Sequence, residues 1–284
     1  MRTIPELLTD AAAAGPDHPW LISGDRPFTF AETEQAAGAV AAGLAARGVR
    51  QGDIVLVVGR NFPAQVFTGL GLARLGAVML PVNPSSTADE LAGLLRQANP
   101  VLVACDRALD GALVDEAVAG LSTDIGVVEI HELLTASPAD APRPTIDPRD
   151  PVVLIPTSGT TGRSKLVTQT HQGYTLAAEG FPAWMGLTPE DRLITALPIF
   201  HINAPAYSLL GSMAIGASVV LLERFSPSRF LDEARTHGAT EFNMIGAMLE
   251  MLPPRCSSTA GCTPATSCAG TRTRRSRSSR GRRK

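Results

Sequence analysis

Short runs of β-branched and aliphatic residues alternate with longer Ala- and Leu-rich segments between residues 28 and 252. Runs of this kind that carry no polar alternation are typical of strands buried on both faces of a parallel sheet. The pattern therefore predicts an α/β fold of mostly parallel sheets with flanking helices. Four consecutive strands are predicted in the first half of the chain, at DIVLVVG (53–59), AVMLPVN (77–83), PVLVACD (100–106) and DIGVVEI (124–130).

Segments of helical period separate these runs, notably residues 31–48 and 87–98. Thr87 is followed three residues later by Glu90, which is the arrangement of a capping box at a helix start. Gly48 and Gly76 stand where a left-handed residue would end a helix. The helices and strands therefore have local start and stop signals as well as periodicity.

A segment rich in proline and aspartate, residues 137–151, removes backbone donors and predicts an exposed connection. We interpret it as a link between a first α/β lobe, residues 1–140, and a second, residues 141–252. Strands of the second lobe are predicted at 152–158, 165–170, 192–198, 217–223 and 240–245, with helices at about 171–185 and within 227–238.

Charge is distributed unevenly along the chain. Nine of the 25 Lys and Arg residues lie after residue 250, whereas Glu250 is the last of the 27 acidic residues. The first 250 residues thus carry a net charge of −11 and the remainder +9. Residues 253–284 contain no aliphatic residue beyond alanine, so we expect either a disordered basic tail or a segment foreign to the fold, such as one translated out of frame.

The same features exclude several classes of protein. An acidic body disfavours sequence-independent nucleic-acid binding there, because neutralising phosphates requires Lys and Arg, and we expect no specific nucleic-acid partner. A nucleic-acid binder is motivated only by the basic residues 271–284. No apolar run predicts a signal peptide or a membrane span, so we expect a cytoplasmic protein. Cys105 is the only cysteine before residue 253, which disfavours a disulfide framework.

The strongest chemical signal is IPTSGTTGRSKLVTQTH (155–171), a strand, a loop of small residues, a lysine and a second strand. Gly159 and Gly162 allow the backbone to approach an anion closely. Hydroxyl donors come from Thr157, Ser158, Thr160 and Thr161, and Lys165 adds a positive charge. Hydrogen bonds to a charged group contribute roughly 1.5–3 kcal/mol each, so the loop predicts a polyphosphate site.

Two other interpretations fit the residues of this loop less well. A Walker A loop requires lysine directly after the second glycine, but Arg163 and Ser164 separate Gly162 from Lys165. A plain hairpin turn explains isolated glycines but poorly explains six consecutive small residues followed by a lysine.

The motif TSGTTGRSK closely resembles the phosphate-binding signature of the adenylate-forming enzymes, which include the AMP-forming acyl-CoA synthetases. Residues 28–61 and 71–106 are similar to that family's N-terminal lobe, and LPIFHINAP (197–205) is similar to its segment beside the acyl pocket. The resemblance covers about residues 1–252. Ser164 and Leu166 depart from the proline and glycine that are usual there, and Asn203 and Ala204 from the small residues that often follow the histidine.

The resemblance implies the fold, substrates and roles of this family. The substrates would be a carboxylic acid, ATP and CoA, with Mg²⁺ as the metal and an acyl-CoA ligase reaction. Lys165 and His201 would be catalytic, with His201 near the carboxylate, and Thr161 would ligate the metal. The ATP phosphates would be held by Thr157, Ser158, Gly159, Thr160, Thr161, Gly162 and Lys165.

Parts of the family's catalytic machinery are not found in residues 1–284: a Tyr-Gly-x-Thr-Glu segment, a ribose-binding aspartate and a lysine on a C-terminal domain. The only tyrosines are Tyr174 and Tyr207. We therefore expect a truncated ligase of little or no activity. The alternative is a nucleotide-binding fragment that performs no catalysis.

Overall fold

The computed structural model describes residues 1–122, 125–157 and 164–252 of the 284-residue chain. Met1–Leu252 form a compact unit. Within the described residues the strands are β1 (Pro19–Ser23), β2 (Arg26–Thr29), β3 (Ile54–Val58), β4 (Val78–Val82), β5 (Leu102–Cys105), β6 (Gly126–Glu129), β7 (Pro151–Thr157), β8 (Lys165–Thr170), β9 (Arg192–Thr195), β10 (Ser218–Leu221) and β11 (Glu241–Phe242).

The helices surround these strands. Short 3₁₀ turns at Ile130–Thr135 and Pro138–Asp140 and a π-helix at Ala204–Leu209 complete the elements described. The α-helices are α1 (Ile4–Ala14), α2 (Phe30–Ala46), α3 (Pro63–Leu75), α4 (Ala88–Ala98), α5 (Arg107–Ala119), α6 (His171–Met185), α7 (Leu210–Ile215), α8 (Phe230–Thr236) and α9 (Gly246–Met251).

Two sheets are formed, and both are mostly parallel. The first has the strand order β6-β5-β3-β4-β7-β8, and only the β7–β8 pair in it is antiparallel among the described strands. The second has the order β11-β9-β10-β1-β2, with an antiparallel pair at β1–β2. The predicted fold class is confirmed, and the four predicted strands of the first half are neighbours in one sheet.

Strand β3 shows why the apolar runs are continuous. Val55 and Val57 belong to the main core, whereas Leu56 and Val58 belong to a second cluster that helices α4 and α5 cover. Successive side chains of a strand point to opposite faces, so a strand buried on both faces is apolar at every position.

The predicted helix signals are also observed. Thr87 accepts a hydrogen bond from the Glu90 N–H and completes a capping box at the start of α4. Gly76 ends α3 in the left-handed conformation, with φ of 70°, and Gly48 also has a positive φ of 91°. Residues 137–150 contain no buried side chain, in agreement with the predicted exposed connection.

Each sheet takes strands from both sides of residue 140. Strands β7 and β8 complete the first sheet, while β1 and β2 join the second, for example through the register pair Leu21 and Val219. The predicted lobes 1–140 and 141–252 are therefore not the two sheets, and the lobe division stays a prediction. The predicted tail, residues 253–284, lies outside the described residues.

Candidate active site

The predicted phosphate-binding motif lies on the β7–β8 hairpin. Thr157 and Lys165 are paired at its loop end, where the connection between the two strands begins and ends, and the Thr157 hydroxyl donates to the Lys165 carbonyl oxygen at 3.4 Å. Both residues are exposed. The structure thus brings these two predicted residues together and leaves both side chains exposed to solvent, with the Thr157 hydroxyl bonded to the backbone of Lys165.

The predicted loop residues Ser158, Gly159, Thr160, Thr161 and Gly162 lie outside the described residues. Their roles toward phosphates, and that of Thr161 toward a metal, stay predictions. Within the described ranges, no group of three or more His, Cys, Asp and Glu side chains is placed to hold a metal ion.

His201 lies just after β9, in the second sheet. Its N–H donates to the Pro198 carbonyl oxygen at 3.2 Å, which closes a turn, and its ring packs 4.7 Å from that of Phe200. The side chain is exposed. A π-helix, Ala204–Leu209, begins three residues later, and segments of this kind occur frequently at functional sites.

The turn that carries His201 is fixed by a residue of the other sheet. Asn61, which follows β3, is 4% exposed. Its Oδ1 accepts from the Ile199 N–H at 3.0 Å, and its Nδ2 donates to the carbonyl oxygens of Leu197 at 2.9 Å and Leu222 at 3.0 Å. Asn61 was not among the predicted site residues, because a single polar residue after a strand gives no sequence signal of its own.

An open pocket of about 660 Å³, including solvent at its mouth, lies between the two sheets beside His201. Strands β4 and β7 form one wall, and the segment after β9 with the following π-helix forms another. The lining is largely apolar and comprises Ile4, Trp20, Gln65, Val66, Gly69, Leu70, Met79, Pro81, Val152, Val153, Tyr174, Ile199, Phe200, His201, Pro205, Leu209 and Leu210.

Strand β7 connects this pocket with the phosphate hairpin. Val152 and Val153 line the pocket, and Thr157 lies at the far end of the same strand. A strand rises about 3.3 Å per residue, so Thr157 lies roughly 13 Å from Val153 along β7. The arrangement can hold an apolar group in the pocket and an anion at the hairpin at the same time.

Burial controls the ionisation of two side chains at the start of α6. Burial lowers the pKa of His171 to about 4, so its imidazole is neutral at pH 7, and its Nδ1 accepts from the Ile4 N–H at 3.3 Å. Burial raises the pKa of the Tyr174 phenol well above its usual value, which keeps that group protonated. Neither group supplies charge to the site at neutral pH.

Helices long and apolar enough to cross a membrane are absent from the part of the chain that the structure describes.

Several curated proteins with similar sequences are CoA ligases. The chain is 31% identical over 235 residues to 4-coumarate–CoA ligase 1 of Solanum tuberosum, a match that covers 78% of this chain and 43% of the relative. It is 30% identical over 256 residues to the medium/long-chain-fatty-acid–CoA ligase FadD6 of Mycobacterium tuberculosis, a match that covers 88% of this chain and 43% of that relative. A sulfoacetate–CoA ligase of Cupriavidus necator is 30% identical over 260 residues, covering 88% and 51%. The chain spans about half the length of these relatives, or less.

Solved structures share the fold. The inhibitor-bound N-terminal domain of FACL13 from Mycobacterium tuberculosis has a TM-score of 0.82 at 24% identity, covering 89% of this chain and 65% of that one. VinN in complex with L-aspartate has a TM-score of 0.77 at 26% identity, covering 88% and 69%.

The AMP-binding enzyme family matches residues 8–279, a range that includes the hairpin, His201 and all of the pocket lining except Ile4, and that runs past Leu252. Its extent covers far more than half of the chain. This chain therefore belongs to the AMP-binding enzyme family.

Proposed function

We propose that this chain is part of an ATP-dependent, AMP-forming acyl-CoA ligase. In the first step a carboxylate oxygen attacks the α-phosphorus of ATP, forming acyl-AMP and releasing pyrophosphate. In the second step the CoA thiol attacks the acyl carbon, releases AMP and leaves a thioester. One observation carries the proposal: a hairpin with Thr157 and Lys165 at its loop end shares strand β7 with an apolar pocket bordered by His201.

The hairpin would bind the triphosphate. Lys165 provides an ammonium group at the first position of β8, and its exposed side chain is available to a phosphate oxygen. Thr157 provides a hydroxyl directly opposite it. We propose that Ser158, Gly159, Thr160, Thr161 and Gly162 complete the cradle with backbone and hydroxyl donors.

The pocket would hold the acyl group of the acid. Its lining is largely apolar, so an alkyl or aryl group gains about 25 cal/mol per Å² of apolar surface removed from water. His201 at its border would lie near the carboxylate, where a ring N–H can orient the attacking oxygen. The names of the relatives range from 4-coumarate to fatty acids and sulfoacetate, which supports carboxylic acids as the substrate class.

Magnesium would reach the site with the nucleotide. Mg²⁺ in such sites is held by one or two protein ligands together with substrate phosphates, and we propose Thr161 as one protein ligand. The requirement for ATP and CoA agrees with a cytoplasmic location, which we infer for the reaction.

We further propose that residues 1–284 alone turn over poorly. The Tyr-Gly-x-Thr-Glu segment, the ribose-binding aspartate and the C-terminal lysine expected from the family resemblance have no counterpart in this sequence. Without them the hairpin and pocket would bind substrates but stabilise the transition state weakly.

The chain offers an internal control for a test of ATP binding. Its only lysines are Lys165 and Lys284. Amine-reactive labelling followed by mass spectrometry should show that Mg-ATP protects Lys165 and leaves Lys284 unaffected. Equal labelling of Lys165 with and without Mg-ATP would contradict the proposal.

A single-turnover assay separates the ligase from the alternative function. Protein in excess over ATP is mixed with Mg²⁺ and a panel of carboxylic acids, and acyl-AMP is measured by mass spectrometry. Acyl-AMP above the level without protein, lost in K165A, supports the ligase. Protection of Lys165 without any acyl-AMP favours the second candidate, a non-catalytic nucleotide-binding fragment.

A further inference from the structure

Tyr174 places a hydrogen-bonding group in the wall of the apolar pocket. It lies on the first turn of α6, is 4% exposed and lines the pocket. Among the described residues, its hydroxyl makes no hydrogen bond. The hydroxyl oxygen keeps some accessible surface, whereas the Oε1 and Nε2 atoms of Gln65 are fully buried without a hydrogen-bond partner. Since Tyr174 is one of the residues that line the pocket, we assign this hydroxyl to the pocket wall.

An unsatisfied hydroxyl at this position is costly. More than nine-tenths of Tyr174 is buried, so an occupant that excludes water from the pocket and offers no partner leaves the hydroxyl unsatisfied, which weakens its binding. Nearby polar groups do not relieve the cost: the Trp20 indole N–H, which also belongs to the pocket wall, donates to Ser212 at 3.0 Å. The Tyr174 hydroxyl is thus available for a bond to a pocket occupant.

We propose that Tyr174 makes the pocket selective for carboxylic acids whose acyl part carries a hydrogen-bonding substituent, such as a hydroxyl or carbonyl group. This inference rests on the proposed function, because it assigns the pocket to the acyl group. A phenol can donate to either substituent and can also accept from a hydroxyl. A site that hydrogen-bonds a substrate group rejects the analogue without it, because its own polar group is then left unpaired.

Binding can be followed at a single residue of the pocket. The chain has two tryptophans, Trp20 in the pocket wall and Trp184, which is 82% exposed. In a W184F background the indole ¹H–¹⁵N resonance then reports Trp20 alone. Two matched pairs of acids serve as probes: 3-phenylpropanoate with 3-(4-hydroxyphenyl)propanoate, and octanoate with 8-hydroxyoctanoate.

The variant Y174F removes the hydroxyl and keeps the ring. The other tyrosine, Tyr207, is 36% exposed and lies outside the pocket lining, so Y207F is the matched control. In at least one pair, we expect the hydroxylated acid to bind about 3- to 10-fold more tightly than its partner without the hydroxyl group. This ratio corresponds to the net free energy of one hydrogen bond. Y174F should abolish that preference and Y207F should retain it.

Equal binding within both pairs, or an unchanged preference in Y174F, would overturn the inference. Failure of all four acids to shift the Trp20 resonance would overturn it as well, since the pocket would then not be the acyl site. The proposed function is judged separately, by Mg-ATP protection of Lys165 and by acyl-AMP formation. A chain that passes those two tests but shows no Tyr174-dependent preference retains the proposed function and loses only this inference.

Discussion

The side chain of Asn61 holds the backbone of Ile199, two residues before His201, with Oδ1 accepting from the Ile199 N–H at 3.0 Å. Asn61 follows a strand of the first sheet and Ile199 follows a strand of the second. The same amide also donates to Leu197 and Leu222. Two buried hydrogen bonds and one partly buried hydrogen bond to the Asn61 side chain therefore fix the turn that borders the pocket.

We predict that N61A destabilises the protein by about 2–4 kcal/mol, because it removes the partner of two buried backbone groups and one partly buried backbone group. The measurement is the free energy of unfolding in urea. Asn83 is an exposed asparagine whose Oδ1 accepts a local bond from the Ser85 N–H, so N83A should cost less than about 1 kcal/mol. If N61A and N83A lowered the free energy of unfolding by similar amounts, the hydrogen bonds of Asn61 would not be the cause of the destabilisation.

Helices α2 and α3 pack too closely for a side chain at Gly71. A Cβ added there would lie 2.5 Å from Cγ1 of Val40 and 3.0 Å from the Ala37 carbonyl oxygen. We expect G71A to lower the free energy of unfolding by about 1–3 kcal/mol through overpacking.

Gly93 on α4 is the matched control for this substitution, because a Cβ there meets nothing within 4 Å. Alanine favours a helix interior over glycine by about 0.5–1 kcal/mol, so G93A should stabilise the protein. The two variants are compared by urea unfolding, and destabilisation by both would show that helix packing is not the cause.

His171 should make the protein sensitive to acid. Its folded-state pKa of about 4 lies below the ordinary value of 6.5 because burial disfavours the imidazolium, against the opposing effect of Asp150 and Glu6. The folded protein favours the neutral imidazole. The contribution of His171 to the free energy of unfolding is therefore fully present above pH 6.5 and is lost as the pH falls toward 4. The loss is of the order of 3 kcal/mol across that interval.

The measurement for His171 is urea unfolding at several pH values between 4 and 7.5. In H171Q, which cannot become charged, the slope in this interval should be shallower than in the wild type. A wild-type slope retained in H171Q would contradict the assignment.

Glu241 on β11 should have the opposite effect on the pH dependence of stability. Burial, reinforced by Asp191, raises its pKa to about 7, and its Oε2 has no hydrogen-bond partner among the described residues. Because the folded-state pKa is raised, the folded protein favours the protonated carboxyl group. The contribution of Glu241 to the free energy of unfolding is therefore fully present below pH 4.5, the ordinary pKa of a glutamate, and is lost as the pH rises through 7.

We expect E241Q, which stays neutral, to be more stable than the wild type at pH 8 and to show little difference at pH 4. Glu223 is exposed, so E223Q serves as the control and should match the wild type at both values. Thermal unfolding at pH 4 and pH 8 tests this, and a wild type more stable than E241Q at pH 8 would contradict it.

Local patterns predicted most of the elements. The sequence predicts helix α6 at about residues 171–185, and the structure has it at His171–Met185. The limits agree because Thr170 caps the start of the helix and Gly186 ends it, and both signals are visible in the sequence. Helix α1 was not predicted, although Thr3 and Glu6 form a capping box that could have revealed it. Signals of this kind involve residues three or four positions apart, so the sequence displays them directly.

By itself, the sequence determined the α/β class, the strand runs and the loop of small residues before Lys165, since each depends on neighbours along the chain. Only the tertiary structure decided that β1 pairs with β10, nearly 200 residues away, that Asn61 holds Ile199, and that Tyr174 faces an apolar pocket. These relationships join segments distant in sequence. Their free energy comes from burying particular surfaces together, which no periodicity within either segment encodes.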